Sequence, residues 1–348
     1  MITVYTDAHR LRQPKDELHN GEVMPAFESP ERAEMVLQRV RETALGDVVA
    51  PTPFGRAALL RVHDAAYVDF LASAWSEWTA AGYGSEAIAE CWPGRRMSQR
   101  IPDAIKGRMA YYAASVETSI GNGTWEAASA AADVAMTAAS YVTSGAAAAF
   151  ALCRPPGHHA SFDQYGGYCF LNNAALAAQT LRDAGAARVA VLDVDYHHGN
   201  GTQDIFYSRG DVFVASLHGD PRVEFPYFLG DASETGTGNG AGCTLNLPMP
   251  KGTAFDVWHD ALHMALDRIR AFGADALVVS LGVDTYAGDP VGAFRLQPDD
   301  FASYGRTLGA AGIPTTFVLE GGYAVEDLGV NVVNVLAGFE DTFRASRA

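Results

Sequence analysis

The sequence predicts an α/β fold built on a mostly parallel sheet. Two observations predict it. Short apolar runs recur without polar alternation, as strands covered on both faces require. Stretches with helical spacing lie between them, and parallel strands need crossovers of that kind. No internal repeat, low-complexity linker or composition shift divides the 348 residues, so one domain over 1–348 is expected.

The first strand is read over Ile2–Tyr5. Ser29-Pro30 then opens a helix carrying Ala33, Val36, Leu37 and Val40 on one face. The alanine-rich stretch up to Ala149 is too broken by Asp133, Thr137, Ser140, Ser144 and Gly145 to span a membrane. A strand follows over Ala147–Leu152. Asn172 or Asn173 caps the next helix and Gly185 closes it. Further strands are placed at Arg188–Val194, Val212–Leu217, Ala276–Leu281 and Thr315–Leu319. Gly145, Gly273 and Gly312 stand where helix-terminating glycines belong.

Composition narrows the function. The chain is 48% apolar and 19% charged, ordinary for a soluble enzyme, and its formal charge of −16 argues against nucleic acid. Four scattered cysteines without a C-x-x-C pair fit a reduced, cytoplasmic setting. The N-terminus has no basic, apolar leader, and no membrane partner is expected. Gly236–Gly242 resembles a phosphate loop but lacks the following Lys-Ser/Thr and helix, so it reads as a turn.

Ligands of open parallel sheets sit outside the carboxyl ends of the strands. There the chain places Cys153-Arg154-Pro155-Pro156-Gly157-His158-His159, then Asp193-Val-Asp195-Tyr-His197-His198-Gly199, then Gly282-Val283-Asp284, and finally Glu320-Gly321-Gly322-Tyr323. Asp195, His197 and Asp284 supply three nitrogen and oxygen ligands and leave a fourth position open, the pattern of a catalytic zinc. Fe(II) or Co(II) would accept the same donors. His158 and His159 are then free for proton transfer, and Tyr323 can donate to an oxyanion. Together they describe metal-assisted hydrolysis of an acyl bond. His63, His259 and His263 lie in helical contexts and read as packing or surface residues. Cys153 and Cys169 read as small buried apolar residues.

These blocks, with Gly166-Gly-Tyr-Cys-Phe170, resemble the histone deacetylase family, and most closely its bacterial acetylpolyamine amidohydrolase branch. The resemblance implies the arginase–deacetylase fold, an eight-stranded parallel sheet flanked by helices, with one zinc on Asp195, His197 and Asp284. It implies that His159 is the general base and acid, and that His158 pairs with buried Asp193. Tyr323 would polarise the carbonyl, while Gly167, Tyr168 and Phe225 would line the substrate tunnel. A structural potassium would draw on Asp193, Asp195, His197, Ser216 and Leu217. Asn200 departs from the class I deacetylase pattern, which has an aspartate there, although asparagine occurs in many relatives. A binuclear, arginase-like site is disfavoured by Gly199 and Tyr286, which occupy positions where it needs carboxylates.

The segment at about 11–27 resembles an insertion loop through which such enzymes form homodimers. Its carboxylates Asp16, Glu17 and Glu22, and also Glu117, are candidates to meet an ammonium. Arg10, Arg12 and Lys15 dilute that acidity. The expected substrate is a small cationic acetylated amine, such as acetylputrescine, acetylcadaverine or acetylspermidine; the alternative is acetyl-lysine in a protein.

Overall fold

The computed structural model describes residues 1–345; positions 346–348 of the expected domain lie outside the described residues. Strand β1 (Ile2–Val4) leads through a hairpin, β2 (Asp16–His19) and β3 (Glu22–Pro25), to helix α1 (Pro30–Glu42) and edge strand β4 (Val48–Val49). Helices α2 (Arg56–Leu59), α3 (Ala65–Ala80), α4 (Ile105–Tyr112) and α5 (Thr124–Thr143) follow. The chain then runs through β5 (Ala148–Ala151), α6 (Asn173–Asp183), β6 (Val189–Asp193), α7 (Asn200–Phe206), β7 (Val212–Gly219) and β8 (Thr244–Met249). Helix α8 (Phe255–Phe272), β9 (Ala276–Leu281), α9 (Pro298–Ala310), β10 (Thr315–Leu319) and α10 (Val325–Ala345) complete it.

Eight strands form one parallel sheet in the order β4-β1-β5-β10-β9-β6-β7-β8. Alternate residues feed two apolar layers, which is why the strands show no polar alternation. Ala149, Ala151, Val191, Val278 and Val318 pack against α3 to α6. Phe150, Leu192, Val279, Phe317 and Leu319 pack against α1, α8, α9 and α10. Each fully buried Val, Leu or Phe among them contributes roughly 1.5–3 kcal/mol.

Six strands agree with the sequence reading to within two residues. The sequence reading places no strand at β4 or β8: β4 is two residues long, and β8 is an edge strand that contains Pro248. The insertion expected as a loop contains an antiparallel hairpin. Its turn residues Asn20 and Gly21 have φ of 52° and 85°, the left-handed pair that a two-residue hairpin turn demands. Helix ends follow the reading more closely. Asn172 accepts from the Ala175 N–H at 2.9 Å, and Gly273 terminates α8 at φ 75°.

No helix among the described residues is long and apolar enough to cross a membrane. His63 is buried as expected, and it ties the start of α3 to the approach to α6. Its Nδ1–H donates to the Ser161 carbonyl at 2.9 Å, and its Nε2 accepts the Asn172 N–H at 2.9 Å. That pair fixes a neutral tautomer, and burial, offset only in part by the carbonyls of Phe162 and Ser161, lowers its pKa to about 4. The unfolded chain therefore takes up this proton first on acidification. The contribution is complete above about pH 6.5 and is lost as pH falls through 4, on the order of 3 kcal/mol. His63→Gln is expected to flatten the acid limb of stability between those pH values in urea titrations. An unchanged limb contradicts the assignment.

Candidate active site

Four neighbouring strands, β5, β10, β9 and β6, bring their carboxyl ends to one edge. Side-chain carboxylates tie these ends to one another. Glu320, just past β10, accepts the N–H groups of Gly157 and His158 at 2.6 and 3.0 Å and thereby holds the loop after β5. Asp195, past β6, accepts the Gly321 N–H at 2.8 Å. Asp284, past β9, accepts the Tyr196 N–H at 2.7 Å.

Asp195, His197 and Asp284 bring one ligand atom each to within 4.8 Å of one another. His197 Nδ1 lies 3.0 Å from Asp284 Oδ2 and 3.3 Å from Asp195 Oδ1. Both carboxylates are fully buried. Burial and the charge of Asp195 push Asp284 up to about 7. Burial acts on Asp195 in the same direction, but His158 and His197 outweigh it and hold that carboxyl well below its usual range. Two anions this close in an apolar setting call for a cation. Space is reserved for the carboxylates as well: a Cβ at Gly321 would fall 2.5 Å from both Asp195 Oδ2 and Asp284 Oδ2. The donor set and its cradle fit a divalent metal.

His158 Nδ1 lies 2.9 Å from Asp193 Oδ2, and the two imidazoles of His158 and His159 are 4.0 Å apart. Burial pulls His158 down, but Asp195 and Asp193 outweigh it and hold it well above its ordinary pKa. His159 is displaced the other way by burial, then by His158 and His197. Its Nδ1 lies 2.6 Å from Asn200 Oδ1. Asn200 accepts that N–H and leaves Nε2 as the basic nitrogen.

A cavity of about 450 Å³ opens onto these groups, lined among others by His159, Gly167, Tyr168, His197, Phe225 and Tyr323. The Phe225 ring stands edge-on to His159 at 4.9 Å. The hairpin reaches the same cavity with Leu18, His19 and Asn20. Glu117 borders both it and an adjoining cavity of about 630 Å³ walled by Trp92 and Phe228. Glu117 Oε1 also accepts the Gly167 N–H at 2.9 Å.

Other candidates sit further back. Glu17 is buried, with its oxygens taken by the Tyr168 hydroxyl at 2.8 Å and the Phe27 N–H at 3.2 Å. Asp16 and Glu22 are exposed on the hairpin. Asp193 pairs in register with Ser216 of β7, whose hydroxyl meets His218 Nδ1 at 2.8 Å; Leu217 follows as a buried residue.

Arg12 does not face the mouth. It turns inward, 4.6 Å over the Phe170 ring, and donates to the Ser119 carbonyl at 2.9 Å. It belongs to a buried group that the sequence did not reveal: Glu28 faces Arg12, Arg32 and Arg154 at 3.8, 3.1 and 2.8 Å. Arg32 in turn donates to the Gly322 and Glu320 carbonyls and lies 4.6 Å over the Tyr323 ring. Asp289 is a second missed residue. Its signal was available, since Asp-Pro starts a turn and a carboxylate there can accept the amides that follow.

Residues 26–339 match the histone deacetylase domain. The chain belongs to the histone deacetylase family. Within that family it is 55% identical over 338 residues to the acetylpolyamine amidohydrolase of Mycoplana ramosa, covering 97% of this chain and 99% of the relative. It is 54% identical over 346 residues to acetylpolyamine amidohydrolase 1 of Pseudomonas aeruginosa, covering 99% and 100%. Among solved structures, the acetylpolyamine aminohydrolase of Burkholderia pseudomallei superposes with a TM-score of 0.94 at 40% identity, covering 98% of this chain and 99% of that one.

In this member of the family, Gly167 passes close under a catalytic candidate. Its φ is +54°, and an added Cβ would fall 2.2 Å from His159 Cδ2. Gly167→Ala is expected to cost ~1–3 kcal/mol in denaturant unfolding. A midpoint equal to that of the parent protein speaks against so close an approach.

Proposed function

We propose that the chain is a zinc-dependent amidohydrolase that removes acetyl groups from acetylated polyamines, releasing acetate and the free amine. The observation that carries this reading is the meeting, in one cavity, of His159, His197 and Tyr323 with the carboxylate of Glu117. The names of the relatives, matched over nearly the whole chain, support the same substrate class. A cationic nitrogen at the far end of an alkyl chain finds its charge partner in Glu117. Glu17 acts at one remove by fixing the Tyr168 ring.

Asp195, His197 and Asp284 would hold the zinc, which would supply a Lewis acid that lowers the pKa of the attacking water. His159 is neutral near pH 7, so its Nε2 takes the proton from that water and later returns it to the leaving amine. His158, kept protonated by buried Asp195 and Asp193, adds a fixed positive charge. The Gly167 carbonyl accepts the substrate amide N–H and sets its orientation. Tyr323 keeps its proton, since burial raises the phenol well above its usual pKa, and donates to the oxyanion developing on the acetyl oxygen.

The reading includes a structural potassium served by oxygens of Asp193, Asp195, His197, Ser216 and Leu217. It also includes a homodimer built through the N-terminal insertion of one domain spanning 1–348, and a cytoplasmic location. The exposed Leu18 and Val23 of the hairpin support the dimer, and the free cysteines support the location.

Acetylputrescine is expected to be cleaved with a kcat/KM well above that of an acetyl-lysine peptide. A preference for the peptide moves the assignment to protein deacetylation. Chelation should abolish turnover and zinc should restore it. Tyr323→Phe is expected to lower kcat by roughly 10²–10³, and near-parental turnover in that variant removes the oxyanion role.

A further inference from the structure

Tyr323 follows two consecutive glycines, Gly321 and Gly322, the second at φ +129°. Such a segment has little stiffness of its own, yet an oxyanion donor must be held in place before the reaction. The ring is covered on one side by the Arg32 guanidinium, whose Nε–H donates to the Gly322 carbonyl at 2.6 Å. The backbone is held by a residue of a different loop. Asp289 Oδ2 accepts the N–H of Tyr323 at 2.7 Å and that of Ala324 at 3.1 Å. Its Oδ1 accepts the N–H groups of Val291 and Gly292 at 3.0 and 3.2 Å. Asp289 is 8% exposed, so these amides take the place of water.

The turn that Oδ1 closes is itself set against the candidate metal ligand. A Cβ at Gly292 would lie 1.7 Å from the Asp284 carbonyl oxygen, so 289–292 rests directly on the Asp284 backbone. One carboxylate thus spans the loop after β9, which carries Asp284, and the loop after β10, which carries Tyr323.

We propose that Asp289 is the positioning residue for Tyr323, registering its phenol against the metal loop through four backbone amides. The proposal rests on the hydrolase reading above and adds a residue to it. Asp289 touches no substrate; it acts through Tyr323. An asparagine can offer only one acceptor oxygen, so it keeps one amide pair and releases the other. A misplacement of about 1 Å at a reacting group costs up to about 10²-fold in rate.

The test is a double-mutant cycle on the zinc-loaded, full-length enzyme with acetylputrescine. Asp289→Asn alone should lower kcat by about 10–100-fold, with KM within about twofold and zinc content unchanged. In the Tyr323→Phe background, the same substitution should leave kcat unchanged within about twofold. If Asp289→Asn lowers kcat equally in both backgrounds, it acts independently of Tyr323 and the proposal is overturned. It is also overturned if Asp289→Asn matches the parent enzyme while Tyr323→Phe does not. If Tyr323→Phe itself has no effect, the failure lies in the oxyanion assignment and takes the proposal with it. Should Asp289→Asn not fold, the cycle is repeated with Asp289→Glu, which keeps both acceptors on a longer stem. Loss of folding in both variants counts against a role confined to the loop.

Discussion

Buried carboxylates accepting backbone amides across neighbouring strand ends are the constraint on which this edge of the molecule depends. Glu320 holds the His158 loop, Asp195 holds Gly321, Asp284 holds Tyr196, and Asp289 holds Tyr323. In each case an acidic group from one strand's loop fixes the backbone of another, either the adjacent strand's or, for Asp195 and Gly321, one strand further on. Parallel strands all finish at the same edge, so every loop there has unpaired amides to satisfy. Side-chain oxygens meet that need and, in the same step, set the distances among the candidate catalytic groups.

The charge this gathers is held in place by its surroundings. Asp193, Asp195 and Asp284 lie at zero exposure beside two imidazoles, and glycines leave the room their oxygens need. An uncompensated carboxylate in such a setting protonates or forces the site open. A divalent cation on Asp195, His197 and Asp284 would supply the missing positive charge.

A second buried charge group stands behind the first. Glu28 at the entry to α1 faces three guanidiniums, Arg12, Arg32 and Arg154, all nearly inaccessible to solvent. Other donors of these arginines reach the main-chain carbonyls of Ser119, Gly322, Glu320 and His9 and the Thr124 hydroxyl. The group joins the N-terminal segment, α1 and the loops after β5 and β10. Removing Glu28 alone leaves three buried cations with neutral acceptors only, which is far costlier than the pairs are stabilising. The N-terminal segment is thereby connected to the same edge as the candidate catalytic groups.

By itself the sequence determined the parallel α/β class, six of the eight sheet strands, and the residues that converge on one edge. The reason is local: doubly covered strands are apolar throughout, and chemistry-bearing residues follow them at once. It did not reveal β4, which is too short, or β8, whose Pro248 imitates a loop. The hairpin of 16–25 was present as Asn20-Gly21 but was masked by the charges around it. Only the tertiary structure decided that Arg12 turns inward, that Glu17 lies behind Tyr168, and that Glu28 and Asp289 hold loops far apart in sequence. Those outcomes depend on which strand lies beside which, and neighbours in this sheet, such as β5 and β10, are more than 150 residues apart in the chain. Spacing along a chain carries no information about a partner that distant; the strand order supplies it.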